Sequence, residues 1–208
     1  TPQVFEVTDC LEGWHNLTLL SDNSYPSLPH DAIVYSSAAT DETQTNWNGL
    51  LGYFRLREEE PVFLESIRAY PKSDKLTVCL TISADAPWAG EVSLTSEALA
   101  APSSQKASGG AGFTELLFEA LPLSPKAARW DEEEGNLHTL TVRLFNSEKT
   151  VTFGIRDFGS KDGRLAFNGR VIFLRGEANC AVFPETGHPP MDKEEWLKIL
   201  RVYQSYGV

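Results

Sequence analysis

Arg175, Glu177 and Asn179 fall within one short polar run, Arg175-Gly176-Glu177-Ala178-Asn179, and each carries a group that could meet a substrate. Arg175 has two readings of equal weight: it orients a substrate or a reacting carboxylate, or it forms a structural ion pair. Glu177 offers a carboxylate, which could touch a ligand or simply be solvated. Asn179 could hydrogen-bond hydroxyl groups, or could be an ordinary turn residue. A second cluster, Asn46-Trp47-Asn48, sets amides beside an indole. An apolar ring face with hydroxyl partners on either side suits a polyhydroxylated ligand, although a Trp packed under a loop fits the same residues.

The remaining chemistry is sparse. The four histidines, His15, His30, His138 and His188, are scattered, and no pair sits at helical ligand spacing. Cys10, Cys79 and Cys180 are far apart and read as free thiols. Neither set implies a metal or a cofactor. Lys plus Arg is 18 against 29 for Asp plus Glu, a net charge of -11. A chain so acidic, without a basic patch, is repelled by phosphate backbones, so a nucleic-acid partner is not expected. The acidic runs Glu58 to Glu60 and Asp131 to Glu134 read as solvated loops. No apolar stretch approaches the roughly 20 residues that span a bilayer, and no membrane partner is expected. Without an initiator Met or a signal peptide, the chain is expected to be a processed form or an excised piece. Asn16-Leu17-Thr18 matches a glycosylation sequon, a short pattern that often arises by chance.

Elements that must position these groups follow from periodicity. Val4 to Thr8, Asn16 to Ser21 and Leu50 to Arg57 read as strands, the first two flanking a turn at Glu12-Gly13. A long polar loop, Ser24 to Asn48, lies between them. Lys75 to Ser83 alternates strictly: Leu76, Val78, Leu80 and Ile82 point one way, Thr77, Cys79 and Thr81 the other. Leu140, Val142 and Leu144 form a second such row, and Val151, Phe153 and Ile155 a third. With Val62 to Tyr70, Glu91 to Glu97 and Phe113 to Ala120 they make six strands, the rhythm of an immunoglobulin-like sandwich. Ala98 to Gly112 reads as a low-complexity loop within it. Asn168-Gly169 then predicts a two-residue type I′ hairpin turn. At the end, Asp192 as N-cap, Glu195 three residues on and an apolar stripe of Trp196, Ile199, Leu200 and Tyr203 predict a helix that stops near Gly207.

Four segments in order resemble glycoside hydrolase family 2. Gly154 and Arg156, then Phe167-Asn168-Gly169, then Phe173-Leu174-Arg175-Gly176 fit its G-x-R, aromatic-N-G and R-G series. Trp130 ahead of "LHTLTVRL" resembles the family's Trp before "LYTLTV". "TQTNWNGLLGYFRL" and "VTDCLEGWHNLTLLSDN" resemble stretches of its N-terminal jelly roll. Gly176-Glu177-Ala178-Asn179-Cys180 stands where many members read G-V-N-x-H, and the following loop resembles a branch reading "NCAVFP-TG-PPMD".

The resemblance implies a mainly β chain: a partial jelly-roll β-sandwich (1–57), an immunoglobulin-like β-sandwich (58–158), then the first β/α unit of a TIM barrel (159–208). It implies a parent that hydrolyses β-glycosidic bonds of a carbohydrate with retention, without a cofactor, in the periplasm or outside the cell. Arg175, Glu177 and Asn179 would lie at the end of barrel strand one, where such barrels place active-site loops, with Asn46 and Trp47 reaching towards them as substrate-binding groups. Both family glutamates belong to later barrel strands, so no catalytic residue is expected here. Retaining cleavage needs two carboxyls about 5–5.5 Å apart, and a lone Glu177 cannot supply both. The stable unit is expected to be the sandwich, with residues after Gly159 loosely docked or self-associating. The competing reading is a non-catalytic β-sandwich module that binds a carbohydrate or another partner.

Overall fold

The computed structural model describes residues 4–8, 13–22, 49–50, 54–178, 183, 185–187 and 189–208. It is mainly β, with ten strands and one helix among these residues. Leu56–Leu174 forms one compact unit, and the described residues of Thr1–Arg55 and Arg175–Val208 form another.

Seven strands of the first unit build a two-sheet sandwich. One sheet runs β1 (Val62–Lys72), β2 (Lys75–Ala84), β5 (Gly112–Pro122). The other runs β4 (Ser103–Gly109), β3 (Trp88–Thr95), β6 (His138–Leu144), β7 (Ser147–Phe153). All neighbours are antiparallel. This is an immunoglobulin-like order with the fourth strand joined to the 3-6-7 sheet.

Strand β2 shows why the sandwich forms. Leu76, Val78, Leu80 and Ile82 are all fully buried, as their alternation requires. They meet Val92 and Leu94 of β3 and Leu140, Val142 and Leu144 of β6 in a single core. Strand β1 departs from simple alternation. A bulge between Leu64 and Ser66 moves the inward row from Leu64 to Ile67 and Ala69, which oppose Leu80 and Val78. The extra residue keeps both halves of β1 facing the core.

Strand β4 corrects the expected loop over Ala98 to Gly112. Ser103, Gln105, Ala107 and Gly109 are half-buried and alternate with exposed Ser104, Lys106 and Ser108. Its seven residues pair with β3 from Trp88 to Leu94. As an edge strand it is covered on one side only and tolerates small polar residues, and Lys106 guards the free edge against pairing with other chains.

The three predicted strands before Glu58 are also corrected where described. Val4–Val7, Asn16–Ser21 and Phe54–Arg57 lie outside any strand, and apart from half-buried Val7 their large apolar side chains are exposed. A strand is stable only when neighbours satisfy its backbone groups and cover one face. The whole of the loop Ser24 to Asn48, and Glu12 of the expected turn, lie outside the described residues.

The second, smaller sheet follows the sandwich. β8 (Phe158–Lys161), β9 (Arg164–Phe167) and β10 (Arg170–Val171) form an antiparallel meander in the order β10-β9-β8. The β9–β10 turn is Asn168-Gly169, with φ of 49° and 78°. Two positive φ values are the signature of a type I′ turn, and Asn and Gly are the residues that tolerate them best. One further ladder bond, Ile172 N–H to the Leu165 carbonyl, follows, and residues 173–178 are not in a strand.

In the other unit, helix α1 spans Lys193–Ser205. Asp192 caps it, its carboxylate accepting the Glu195 N–H at 2.8 Å. The C-terminus closes in a Schellman turn: Gly207 (φ 75°) donates to the Gln204 carbonyl and Val208 to that of Tyr203. No residue of α1 is buried. Ile199 and Tyr203 of the expected stripe are half-buried, whereas Leu200 is 53% exposed. Trp196 donates its indole N–H to the Pro190 carbonyl and meets Phe183 edge-on at 5.9 Å. No described helix is long and apolar enough to cross a membrane.

Candidate functional site

The five candidate residues divide sharply. Asn46, Trp47 and Asn179 lie outside the described residues. Arg175 and Glu177 are exposed and lie beyond the hairpin, where no strand fixes them. The Arg175 guanidinium passes 3.2 Å from the position a Cβ on Gly207 would occupy, beside the C-terminal turn of α1. A cation there faces the negative end of the helix dipole. Arg175 therefore sits where it can serve the helix end, a role for which its own sequence neighbourhood gives no signal.

The family-like residues Gly154, Arg156, Asn168 and Trp130 do come together, around the Trp130 indole. Trp130 lies on the connector between β5 and β6, and its backbone N–H donates to the Ile155 carbonyl at 3.0 Å. Phe167 meets its ring edge-on at 5.6 Å, and the Arg156 guanidinium covers it at 5.2 Å. Gly154 leaves room for the ring: a Cβ there would come within 3.1 Å of the Trp130 Cβ.

Asn168 does more than shape the turn. Its Oδ1 accepts the Asp157 N–H at 3.0 Å and its Nδ2 donates to the Trp130 carbonyl at 2.9 Å. Its own N–H donates to the Asp157 carbonyl at 2.7 Å. Around it, Arg170 pairs with Glu132 at 2.6 Å, and Asp157 accepts the Ser73 N–H from the β1–β2 turn at 3.1 Å. Arg129 donates to the Ser73 carbonyl at 2.7 Å. This set binds backbone and aromatic faces rather than leaving groups free for a substrate.

The expected acidic loop Asp131 to Glu134 is exposed but ordered by its first residue. Asp131 accepts the N–H groups of Glu133 and Glu134 at 2.9 and 2.8 Å. Those bonds, that of Glu134 foremost, hold its carboxyl below its ordinary range.

His138, the one buried histidine among the described residues, joins the connector to the segment that follows β3. Its Nε2 lies 2.8 Å from the Ala128 carbonyl and its Nδ1 3.1 Å from Glu97. Burial pushes the Glu97 carboxyl up, but hydrogen bonds from its own N–H, from the Thr139 N–H and from His138 outweigh that and hold it below its ordinary value. A lowered folded-state value means stability that is present above the unfolded value, about 4.3, and is lost as pH falls through the folded one. Glu97→Gln should therefore remove part of the destabilisation seen below about pH 4.5. The side chain is 62% exposed, so solvent screening limits the effect to under about 1 kcal/mol. Urea midpoints of the two proteins at pH 3 and pH 7 measure it; an equal loss in both would remove Glu97 from the acid response.

Among the described residues no three His, Cys, Asp or Glu side chains group as metal ligands would. An open hollow of about 350 Å³ lies at the β1–β2 turn, lined by Tyr70, Lys72, Lys75 and Thr77 among others, and neither Arg175 nor Glu177 lines it.

No family model matches the chain. A beta-galactosidase from Photobacterium profundum is 24% identical over 123 residues, 56% of this chain and 12% of that protein. Among solved structures, a GH2 beta-galacturonidase from Eisenbergiella tayi aligns with TM-score 0.49 and 19% identity, covering 57% of this chain and 22% of its own. Beta-glucuronidase 2 of Bacteroides uniformis aligns with TM-score 0.44 and 19% identity, covering 56% and 17%. The chain thus spans about an eighth of the curated relative. Over a little more than half its length, it is similar to a beta-galactosidase.

Proposed function

We propose that this chain is a non-catalytic portion of a retaining glycoside hydrolase that cleaves β-glycosidic bonds of a carbohydrate, with the catalytic carboxylates supplied elsewhere in the longer protein. The observation that carries the reading is the ordered agreement of Gly154, Arg156, Asn168 and Gly169 with the family series, in a chain similar to a beta-galactosidase over 123 residues. Residues 1–57 belong, on this reading, to a jelly roll, 58–158 to the immunoglobulin-like sandwich, and 159–208 to the start of a barrel. Arg175, Glu177 and Asn179, with Asn46 and Trp47, contribute contacts at the rim of the substrate site. The acid/base and nucleophile are two glutamates of the parent outside this segment, since one carboxylate cannot protonate the leaving group and also form the glycosyl intermediate. The chemistry calls for no cofactor.

A panel of aryl β-galactosides, β-glucuronides and β-glucosaminides tests the reading. The chain alone should release no chromophore even at high protein concentration, and the longer protein should release it from at least one. Turnover by the chain that disappears in Glu177→Gln would place the catalytic carboxylate here and refute the division of labour. A longer protein inert towards the whole panel would refute the β-glycosidase assignment.

A further inference from the structure

Three backbone segments distant in sequence meet at one side chain. The amide of Asn168 joins the hairpin turn to Asp157, on the link between β7 and β8, and to Trp130, on the β5–β6 connector. Among the described residues, neither the Asp157 N–H nor the Trp130 carbonyl has a backbone partner, and the Asn168 amide satisfies both, beside the backbone bond from the Asn168 N–H to the Asp157 carbonyl. Its two bonds use one acceptor and one donor, so a single planar amide fixes both distance and orientation. Phe167 adds an apolar contact: it is buried and meets Trp130 and, with ring centroids 6.1 Å apart, Phe158. The Arg170–Glu132 pair also joins the turn to the β5–β6 connector.

We infer that this contact set is a clasp, with Asn168 as its pin, that makes the β8–β9–β10 hairpin open and close with the sandwich rather than independently of it. A three-stranded meander with strands of four, four and two residues and an exposed β8 is too small to persist by itself in water. Its persistence must come from what it is fastened to.

The test separates the clasp from the turn. Asn168→Gly keeps a residue that accepts positive φ and deletes only the side-chain bonds. In the full-length chain, native-state hydrogen exchange should show the hairpin amides from Gly159 to Ile172 protected nearly as well as Leu80 and Val142. In Asn168→Gly the hairpin amides should exchange about tenfold faster or more, the loss expected for two hydrogen bonds, with Leu80 and Val142 unchanged. Asn168→Asp keeps the acceptor for Asp157 but sets a carboxylate oxygen against the Trp130 carbonyl, so its hairpin amides should also exchange faster than in the unmodified chain. Hairpin exchange unchanged in Asn168→Gly would reduce Asn168 to a turn residue and overturn the clasp. So would a wild-type hairpin that exchanges like an unfolded segment, or equal acceleration at Leu80 and Val142, which would mean the side chain supports the sandwich as a whole.

Discussion

Leu80→Ala is expected to lower the stability of the sandwich by about 2–5 kcal/mol, the range for truncating a fully buried leucine. Leu80 is 0% exposed on the central strand of its sheet. In register with it stand Ile67 on β1 and Leu116 on β5, and the opposite sheet closes the core over it. Neighbours on every side are held by their own ladders, so the space left by three lost carbons cannot be filled by relaxation. In a unit of this size the loss should lower the melting temperature by roughly 10 °C or more. Leu117→Ala is the control. Leu117 faces outward on β5, 46% exposed, and its truncation should cost under about 1 kcal/mol. Similar costs for the two variants, measured by urea midpoints, would mean that the inward and outward rows have been assigned wrongly.

That contrast also shows what a sequence can disclose. β2 and β6 were legible because burial on one face forces strict alternation, and the same row of leucines and valines fills the core. β1 was legible as a strand but not in its inward row, since the bulge at Leu64/Ser66 depends on the partner's register. β4 was hidden because an edge strand of Ser, Gln, Lys and Ala has no hydrophobic signature to read. Before Glu58 the error ran the other way: apolar alternation suggested strands, but alternation proposes a strand and only a paired neighbour makes one.

The site was less legible than the fold, for a related reason. Asn168-Gly169 announced its turn, because positive φ selects the residue type locally. The second use of Asn168 gave no signal: its partners are the backbone groups of Asp157 and Trp130, which any residue would carry. For Arg175 the sequence leaves a substrate contact and a structural ion pair equally open, and its nearness to Gly207, thirty-two positions further along the chain, has no local signal.

Gly154→Leu is the second large effect, and its cause is space rather than backbone freedom. Gly154 is absent from the residues with positive φ, so an L-residue can adopt its conformation. A Cβ there would lie 3.1 Å from the Trp130 Cβ and 3.2 Å from Cγ and Cδ1. Alanine can be accommodated by a shift of a few tenths of an ångström and should cost under about 1 kcal/mol. The further carbons of leucine must displace the indole, and the indole has little room to retreat. Its backbone is bonded to Ile155 on one side and Asn168 on the other, and Phe167 and Arg156 occupy its ring. Overpacking of this kind costs about 1–3 kcal/mol, and loss of the clasp bonds at Trp130 would add to it. A double-mutant cycle with Trp130→Ala identifies the cause. If the clash is with the indole, the double variant should be little less stable than Trp130→Ala alone. Strictly additive costs would show that leucine at position 154 strikes something else, and the glycine of the G-x-R series would then serve a purpose other than seating Trp130.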